Sequence, residues 1–174
     1  MNQAVLDAIY QRRSIREYTT STVAPETLAE IIRAGSWAPS GLNNQPWRFV
    51  IVSRRQTIDQ LAELTRYSHI IKAAPALIGV FLDNRETYNE VKDHQAAGAC
   101  IQNMLLAAEA LELGAVWLGE ILNRKEQVNQ LLELADHYQL MAVIALGHPA
   151  HGGQKSQRKP LTELIIKNLQ EDLK

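Results

Sequence analysis

A long helical pattern spans residues 86–113, and its middle, residues 95–108, is apolar on nearly every side. A helix without a polar face must lie in a protein core or against a partner subunit. The small residues at 96–99, Ala-Ala-Gly-Ala, would let another backbone approach closely. We therefore expect this helix at a dimer interface, with a central core helix as the alternative.

The rest of the chain alternates helical patterns with short apolar strands. Apolar residues at helical spacing predict helices over 3–12, 26–37, 54–66, 124–134 and 161–169. Alternating or continuous runs of β-forming residues predict strands over 47–52, 76–82, 115–118 and 140–146. Three or four interrupted strands are too few for a wide doubly wound sheet, so we predict an α+β fold with a small sheet surrounded by helices.

Two expectations concern element ends and the domain as a whole. Gly114 is expected to end the long helix. The pattern at 161–169 has too few neighbours in sequence to bury its apolar face, so we expect it to dock on the other subunit. The length of 174 residues and the lack of repeats or linkers predict a single domain over residues 1–174.

The composition excludes several classes of protein. Apolar residues make up 46% and charged residues 21%, which argues against disorder or a fibre. The formal net charge of −1 and the dispersed basic residues argue against nucleic acid and an anionic membrane as partners. The sequence shows neither a signal-peptide pattern nor a membrane-spanning run, so we expect a cytoplasmic protein. The single cysteine, Cys100, is expected to be a buried apolar residue.

The sequence also argues against a metal site. His148 and His151 are three residues apart, but Pro149 breaks any helix that would align them. No cysteine or carboxylate cluster joins these histidines, so we expect no bound metal.

A cluster of arginines, which we call the arginine segment (residues 12–16, Arg-Arg-Ser-Ile-Arg), follows the first helix. Arginine suits phosphate because its planar guanidinium donates two hydrogen bonds at once. In an extended backbone Arg12, Ser14 and Arg16 share one side, with Arg13 opposite. The alternative is a basic helix end that complements the dipole of the first helix.

The stretch 38–49 is a shaped polar loop, and we call residues 38–46 the amide loop. Pro39 and Pro46 fix the backbone, Gly41 permits a positive φ, and several short side chains supply hydroxyl and amide groups: Ser40, Asn43, Asn44 and Gln45. Such a loop can present donors and acceptors to a flat polar molecule. The alternative is a turn whose amides satisfy only each other.

Four motifs in order resemble the FMN-dependent nitroreductase family: R-R-S-I-R at 12–16, P-S-G-L-N-N-Q-P-W at 39–47, W-L-G-E at 117–120 and R-K-P-L at 158–161. The resemblance covers nearly the whole chain. It implies a small, mainly antiparallel sheet flanked by helices, and an intertwined homodimer. It also implies two FMN sites at the subunit interface, each built from both chains.

The resemblance implies a role for each motif. Arg12, Arg13 and Ser14 would contact the phosphate and ribityl oxygens. Arg16 would lie near the flavin N1 and O2, where a cation stabilises the anionic reduced ring. Arg158 and Lys159, in the late loop (residues 147–160), would close on the phosphate.

Further contacts are implied from the partner chain and from the third motif. The residues that would reach the flavin from the second subunit are Pro39, Ser40, Asn43 and Gln45. Leu118 and Gly119 would meet the ring, with the Gly119 N–H directed at N5, where a Cβ would keep a hydride donor away. The alternative for Gly119 is simple turn geometry, and for Glu120 the start of the next helix.

The activity implied is that of an FMN-dependent oxidoreductase, in which diffusible NADH or NADPH reduces the flavin and a nitroaromatic or quinone reoxidises it in a ping-pong mechanism. The chain has no G-x-G-x-x-G after a strand, so the nicotinamide is not expected in a Rossmann unit. Alternatives are another reaction of the same fold, such as dehalogenation or flavin fragmentation, a flavin-binding sensor or storage module, and a purely structural dimer.

The chain departs from the larger enzymes of this family in two ways. Between Tyr67 and Lys72 there is no match for the Asn and Lys that flank the ring edge in those relatives. The chain is also short, so little of it is left for a helical lid. We expect an open site, or one covered only by residues 67–71.

Overall fold

The computed structural model describes residues 3–167, and its centre is a four-stranded sheet with the order β1-β2-β4-β3. The strands are β1 (Trp47–Val52), β2 (Ala76–Asp83), β3 (Gly114–Leu118) and β4 (Tyr138–Gly147). All neighbouring strands are antiparallel. Every residue of β2 is buried, which explains its continuous apolar run. The four predicted strands are confirmed, and β1 has the predicted ends.

Helices cover both faces of the sheet, so the predicted α+β fold is confirmed. They are α1 (Gln3–Gln11), α2 (Pro25–Ser36), α3 (Arg55–Ala62), α4 (Ser68–Ala73), α5 (Glu90–Ala110), α6 (Lys125–Leu131) and α7 (Leu161–Leu164), with short 3-10 turns at Gly41–Asn43 and Glu120–Arg124. Helices α2 and α5 pack on one face, and α3, α4 and α6 pack on the other. The sheet therefore lies between two apolar clusters.

The helix predicted over 54–66 ends earlier than expected, because α3 covers Arg55–Ala62 and a turn at residues 63–67 separates it from α4. Two backbone amides of this turn donate to side chains and not to helical carbonyls. The Tyr67 amide donates to Thr65 Oγ1 at 3.2 Å, and the Arg66 amide donates to the Glu120 carboxylate at 2.9 Å. The carboxylate that captures the second amide lies 54 residues away in sequence.

The long helix is shorter than predicted, and Gly114 does not end it. Asn89 caps its start, since Asn89 Oδ1 accepts from the Lys92 amide at 3.1 Å. After Ala110 the left-handed conformation falls on Glu112, with a φ of 59°. Gly114 is instead the first residue of β3, where a Cβ would lie 2.6 Å from the Ile15 side chain. A glycine is needed there because the arginine segment crosses at close range.

Helix α5 is a core helix on one side only. Ala97, Cys100, Ile101 and Met104 are buried against α2 and the sheet, whereas Gly98 and its neighbours on the opposite side are partly exposed. Burial raises the pKa of the Cys100 thiol to about 12, as expected for an apolar position. The core alternative thus describes the inner face of this helix, and the dimer interface stays a prediction for the outer face.

The end of the chain differs from the prediction of a helix over 161–169. Helix α7 has only four residues, and the predicted end at Leu169 lies outside the described residues. Leu161, Leu164 and Ile165 are exposed. The exposed side chains leave docking on another subunit as a prediction.

Candidate functional site

The arginine segment lies along β3, at one edge of the sheet. Ser14 forms a parallel bridge with Ala115, and the Ile15 amide donates to the Ala115 carbonyl at 3.1 Å. Gly114 lets this segment approach, as described above. The extended backbone brings Arg16 beside the end of β3, so two of the four sequence motifs meet here.

A cavity of about 290 Å³ opens where these two motifs meet, and we call it the β3 cavity. Its walls come from the arginine segment, the end of β3 and the start of α4, and they include Arg16, Tyr67, Ile70, Leu118, Gly119 and Glu120. The Leu118 side chain is buried in the apolar cluster below, so this residue forms the floor. Two residues of the segment 67–71, Tyr67 and Ile70, line this cavity, and neither is the Asn or Lys that the resemblance would place at the edge of the flavin ring.

Gly119 has no side chain although nothing within the described chain requires its absence. A Cβ built on Gly119 meets no atom within 4 Å, and its φ of −100° is open to any residue. By contrast, Gly35, Gly79 and Gly147 each lie where a Cβ would come within 3 Å of a neighbouring side chain. The packing of the described chain therefore does not require a glycine at 119, and this residue lines the β3 cavity.

The three arginines have different surroundings. Arg12 is partly buried, and its Nε has no hydrogen-bond partner among the described residues. Arg13 folds back on α1 and donates to the carbonyls of Tyr10 and Gln11, at 2.7 and 3.0 Å. Arg16 donates to the Ser14 carbonyl at 3.1 Å. The helix-end alternative thus fits Arg13, whereas Arg12 has a donor that the protein itself does not use.

The late loop begins next to the arginine segment. The Thr19 amide donates to the His148 carbonyl at 2.8 Å, and Arg13 Nε donates to the Gln154 carbonyl at 3.1 Å. Further along, Arg158 and Lys159 are exposed, and among residues 3–167 Arg158 bonds only within its own loop, to Gln157 and Ser156. The structure does not bring Arg158 or Lys159 to the β3 cavity.

The amide loop is tightly wound. The Ser40 hydroxyl accepts from the Gln45 amide at 3.1 Å, and Gln45 Nε2 donates to the Asn43 carbonyl at 3.3 Å. Leu42, Asn43 and Gln45 all have positive φ, an uncommon conformation that costs free energy for such residues. Pro39, Asn43 and Gln45 remain exposed, so the loop satisfies part of its own polar groups and presents others to the surroundings.

Asn44, which the sequence analysis did not place among the flavin contacts, fixes the amide loop to α5. Asn44 Nδ2 donates to Asp93 Oδ1 at 2.8 Å, and Asp93 Oδ2 accepts from the Tyr88 and Asn89 amides. Burial of Asp93 opposes its ionisation, but the hydrogen bonds from Asn89, Asn44 and Tyr88 outweigh burial and hold its pKa below the usual range. The available signal was the pair Asn43-Asn44, whose members face opposite ways.

The amide loop and the arginine segment lie at diagonally opposite corners of the sheet. Ala115, next to Ser14, is in the row of Ala76, whereas Trp47, after the amide loop, is in the row of Leu82. The two rows are about 20 Å apart along the strands, and the two edge strands are about 14 Å apart across the sheet. Trp47 and Ala115 are thus roughly 25 Å apart within one chain, whereas Leu118, in the row of Gly79, is roughly 17 Å from Trp47.

Glu120 makes more contacts than the start of a helix requires. Its carboxylate accepts from Thr65 Oγ1 at 2.6 Å and from the Arg66 amide at 2.9 Å, with Arg66 Nε 3.2 Å away. The hydrogen bond from Thr65, followed by that from the Arg66 amide, lowers the pKa of Glu120. A negative charge is therefore fixed at the rim of the β3 cavity.

The sequence profile of the nitroreductase family matches residues 9–68 and 63–148. The chain belongs to the nitroreductase family. A family member from Methanothermobacter thermautotrophicus, whose name suggests an NADH dehydrogenase or NAD(P)H nitroreductase, is 36% identical over 148 residues, which are 84% of this chain and 78% of that protein.

Solved structures of nitroreductase-family proteins share this fold. The crystal structure of a nitroreductase-like protein from Desulfovibrio desulfuricans in complex with FMN has a TM-score of 0.91 and 53% identity, and the match covers 96% of this chain and 98% of that one. NADPH:FMN oxidoreductase from Vibrio harveyi complexed with NAD⁺ has a TM-score of 0.87 and 26% identity, over 98% of this chain and 80% of that one.

Two further features bear on partners. No helix within residues 3–167 combines the length and the apolar character that crossing a bilayer requires. In the same range, no three His, Cys, Asp or Glu side chains come together as a metal site would need. The cytoplasmic location stays a prediction.

Proposed function

We propose that this nitroreductase-family protein is an FMN-dependent oxidoreductase that uses NADH or NADPH to reduce nitroaromatics or quinones. The observation that carries the proposal is the unfilled space at Gly119 beside the Arg16 side chain in the β3 cavity. The names of relatives, which include FMN reductases and NAD(P)H nitroreductases, support it.

The residues of the arginine segment fit FMN. Arg12 is partly buried and its buried Nε donor is unused among the described residues, and Ser14 follows two residues later in the extended backbone. We assign the phosphate and ribityl contacts to Arg12, Ser14 and Arg13, although in one chain the Arg13 guanidinium also serves the end of α1. Arg158 and Lys159 would reach the phosphate only by a movement of the late loop.

We infer that the site is built from two copies of the chain. In one chain the amide loop lies at the opposite edge strand from the β3 cavity, so Pro39, Ser40, Asn43 and Gln45 would meet the FMN in a partner's cavity. Helix α1 has no buried residue, and its Val5, Ile9 and Tyr10 are exposed. Apolar surface of this extent, together with the uncharged middle of the outer face of α5 at residues 95–107, fits a homodimer with FMN at the subunit interface.

The chemistry divides between cofactor and protein. FMN, when bound, stores two electrons, so donor and acceptor can use the same space in turn. The guanidinium of Arg16 would stabilise negative charge on the reduced ring. The Gly119 N–H would donate towards the ring, and the absence of a Cβ would leave room for a substrate at van der Waals distance.

The proposal is tested first by composition and then by kinetics. The purified protein should be yellow, and its ligand, released by denaturation, should have the mass of FMN. Initial rates measured with NADH against a nitroaromatic should give parallel double-reciprocal lines, as a ping-pong mechanism requires. Intersecting lines would refute the mechanism, and flavin that is retained but never turned over would favour a sensor or storage module.

A variant tests the role of Arg16 separately. Arg16→Ala removes a cation from the cavity but only one local hydrogen bond, to the Ser14 carbonyl. We expect a lower reduction potential of the bound flavin and slower reduction by NADH, with little change in the unfolding midpoint. Equal loss of stability and reduction would contradict this role.

A further inference from the structure

We propose that Glu120 is a positioning residue that holds the turn at residues 63–67 against the β3 cavity and thereby limits the size of the electron acceptor that can enter. The inference rests on the proposed function, because it takes this cavity as the place where acceptors react. Glu120 directly follows Gly119, and its carboxylate contacts that turn.

The contacts between Glu120 and the turn are short and charge-assisted. Oε2 accepts from both Thr65 Oγ1 and the Arg66 amide, at 2.6 and 2.9 Å, and Oε1 lies 3.2 Å from Arg66 Nε. The Glu120 side chain is only 22% exposed, so water competes for these bonds less than at a free surface. The turn is therefore tied to the segment that carries Gly119.

The Thr65 hydroxyl extends this connection to Tyr67. It donates to Glu120 and accepts from the Tyr67 amide at 3.2 Å. The Tyr67 carbonyl in turn accepts from the Ile70 amide at 2.9 Å, and Tyr67 directly precedes α4 as its N-cap residue. Since Tyr67 lines the β3 cavity together with Arg16 and Gly119, a shift of this turn would change the shape of the cavity.

Backbone bonds hold the ends of the turn, where the Leu64 amide donates to the Leu61 carbonyl and the Ile70 amide to the Tyr67 carbonyl, whereas its centre at residues 65–66 depends on Glu120. Its Arg66 side chain is 86% exposed, and α4 behind it has only six residues. The amides of Arg66 and Tyr67 depend on side-chain acceptors rather than on helical carbonyls. Loss of one such bond is expected to raise the open fraction of the turn roughly fivefold to tenfold.

The first test does not require the cofactor. Arg66 is itself a trypsin site, and cleavage there depends on how often the turn opens. We compare Thr65→Val, which removes one hydroxyl at constant shape, and Glu120→Ala, which removes every contact. Mass spectrometry should show the fragment ending at Arg66 appearing about fivefold faster or more in Thr65→Val, and faster again in Glu120→Ala.

Glu63→Gln is the matched control. Glu63 pairs with Lys72 Nζ at 2.6 Å across the same turn, but it does not line the β3 cavity. Its loss should leave cleavage at Arg66 within about twofold of the wild type. Equal acceleration in all three variants would overturn the inference, because any weakening of the turn would then have the same effect.

The second test measures acceptor size. The ratio of kcat/KM for 9,10-phenanthrenequinone to that for 1,4-benzoquinone cancels differences in flavin occupancy. We expect this ratio to rise about threefold or more in Thr65→Val and Glu120→Ala, and to stay constant in Glu63→Gln. If Glu120→Ala fails to fold, Thr65→Val alone decides.

The two proposals fail in different ways. An unchanged ratio in an active, FMN-containing Thr65→Val variant would refute the control of acceptor size and leave the proposed function intact. A wild-type protein that takes up no FMN and oxidises no NAD(P)H would refute the proposed function, and the inference with it.

Discussion

Replacement of Gly119 by alanine should separate folding from function. In the described chain no atom lies within 4 Å of the added Cβ, and the φ of −100° suits alanine. The substitution reduces the conformational freedom of the unfolded chain, which stabilises a protein by about 0.4–1 kcal/mol where no strain arises. For a chain of this length, that gain raises the unfolding midpoint by roughly 1–4 °C.

The same methyl group should impair the reaction. It would occupy the space that we assign to the flavin and its substrate, and a displacement of about 1 Å in a reacting pair can cost roughly 100-fold in rate. We therefore expect the apoprotein of Gly119→Ala to be as stable as the wild type or slightly more so. Reduction by NADH in a stopped-flow experiment should be slower by roughly one to two orders of magnitude.

Gly152→Ala serves as the control, because a Cβ on Gly152 also meets nothing within 4 Å but lies outside the β3 cavity. This variant should keep the wild-type rate. A Gly119→Ala protein with a lower melting temperature would refute the claim that the chain's own packing does not need this glycine. A stable variant with an unchanged rate would refute the assignment of the cavity.

Three further results are expected. Asp93→Asn places a donor where three N–H groups converge, so it should lower the free energy of unfolding by about 1–3 kcal/mol and reduce FMN retention. Urea titration measures the first effect and the visible spectrum the second, and a stable variant with full FMN retention would contradict the role of Asp93 in fixing the amide loop. The folded-state pKa of Asp93 is depressed, so its contribution to stability is complete above its unfolded value of 3.8 and is lost as pH falls through the folded pKa; the acid branch of the stability curve should be flatter in Asp93→Asn, and an unchanged branch would exclude this group. Arg12→Ala should weaken FMN binding about tenfold or more with little loss of stability, as measured by fluorescence titration. Arg13→Ala should lower the free energy of unfolding in urea by about 0.3–1 kcal/mol, because it removes a cation from the end of α1. A larger loss of stability in Arg12→Ala together with a larger loss of FMN binding in Arg13→Ala would contradict both assignments.

The sheet could be predicted from sequence because its strands carry their burial in their composition. Strand β2 is apolar from Ala76 to Leu82 since both of its faces are covered, and β1 is bounded by the Pro46 turn and the polar residues after Val52. The proximity of the arginine segment to Gly119 followed from the resemblance and not from spacing. The structure adds the backbone pairing of Ser14 with Ala115 that produces it.

The errors arise where a distant residue decides local structure. The break between α3 and α4 depends on Glu120, which no local pattern connects to Arg66. The role of Gly114 was misjudged because the positive φ falls on Glu112, while the glycine answers a close approach by Ile15. The anchoring role of Asn44 was missed because its partner, Asp93, lies on the distant helix α5. Each of these is a tertiary contact that sequence periodicity does not encode.

In the proposed homodimer, the placement of the two loops at opposite edges of one sheet has a consequence for mixed dimers. A chain carrying Arg16→Ala and a chain carrying a damaged amide loop would each be impaired as homodimers, since every site has one defect. When the two are mixed, each heterodimer combines both defects in one site and leaves the other site whole. Random reassociation of equal amounts makes half of the dimers heterodimers, each with one intact site. The intact sites should therefore supply about a quarter of the wild-type activity.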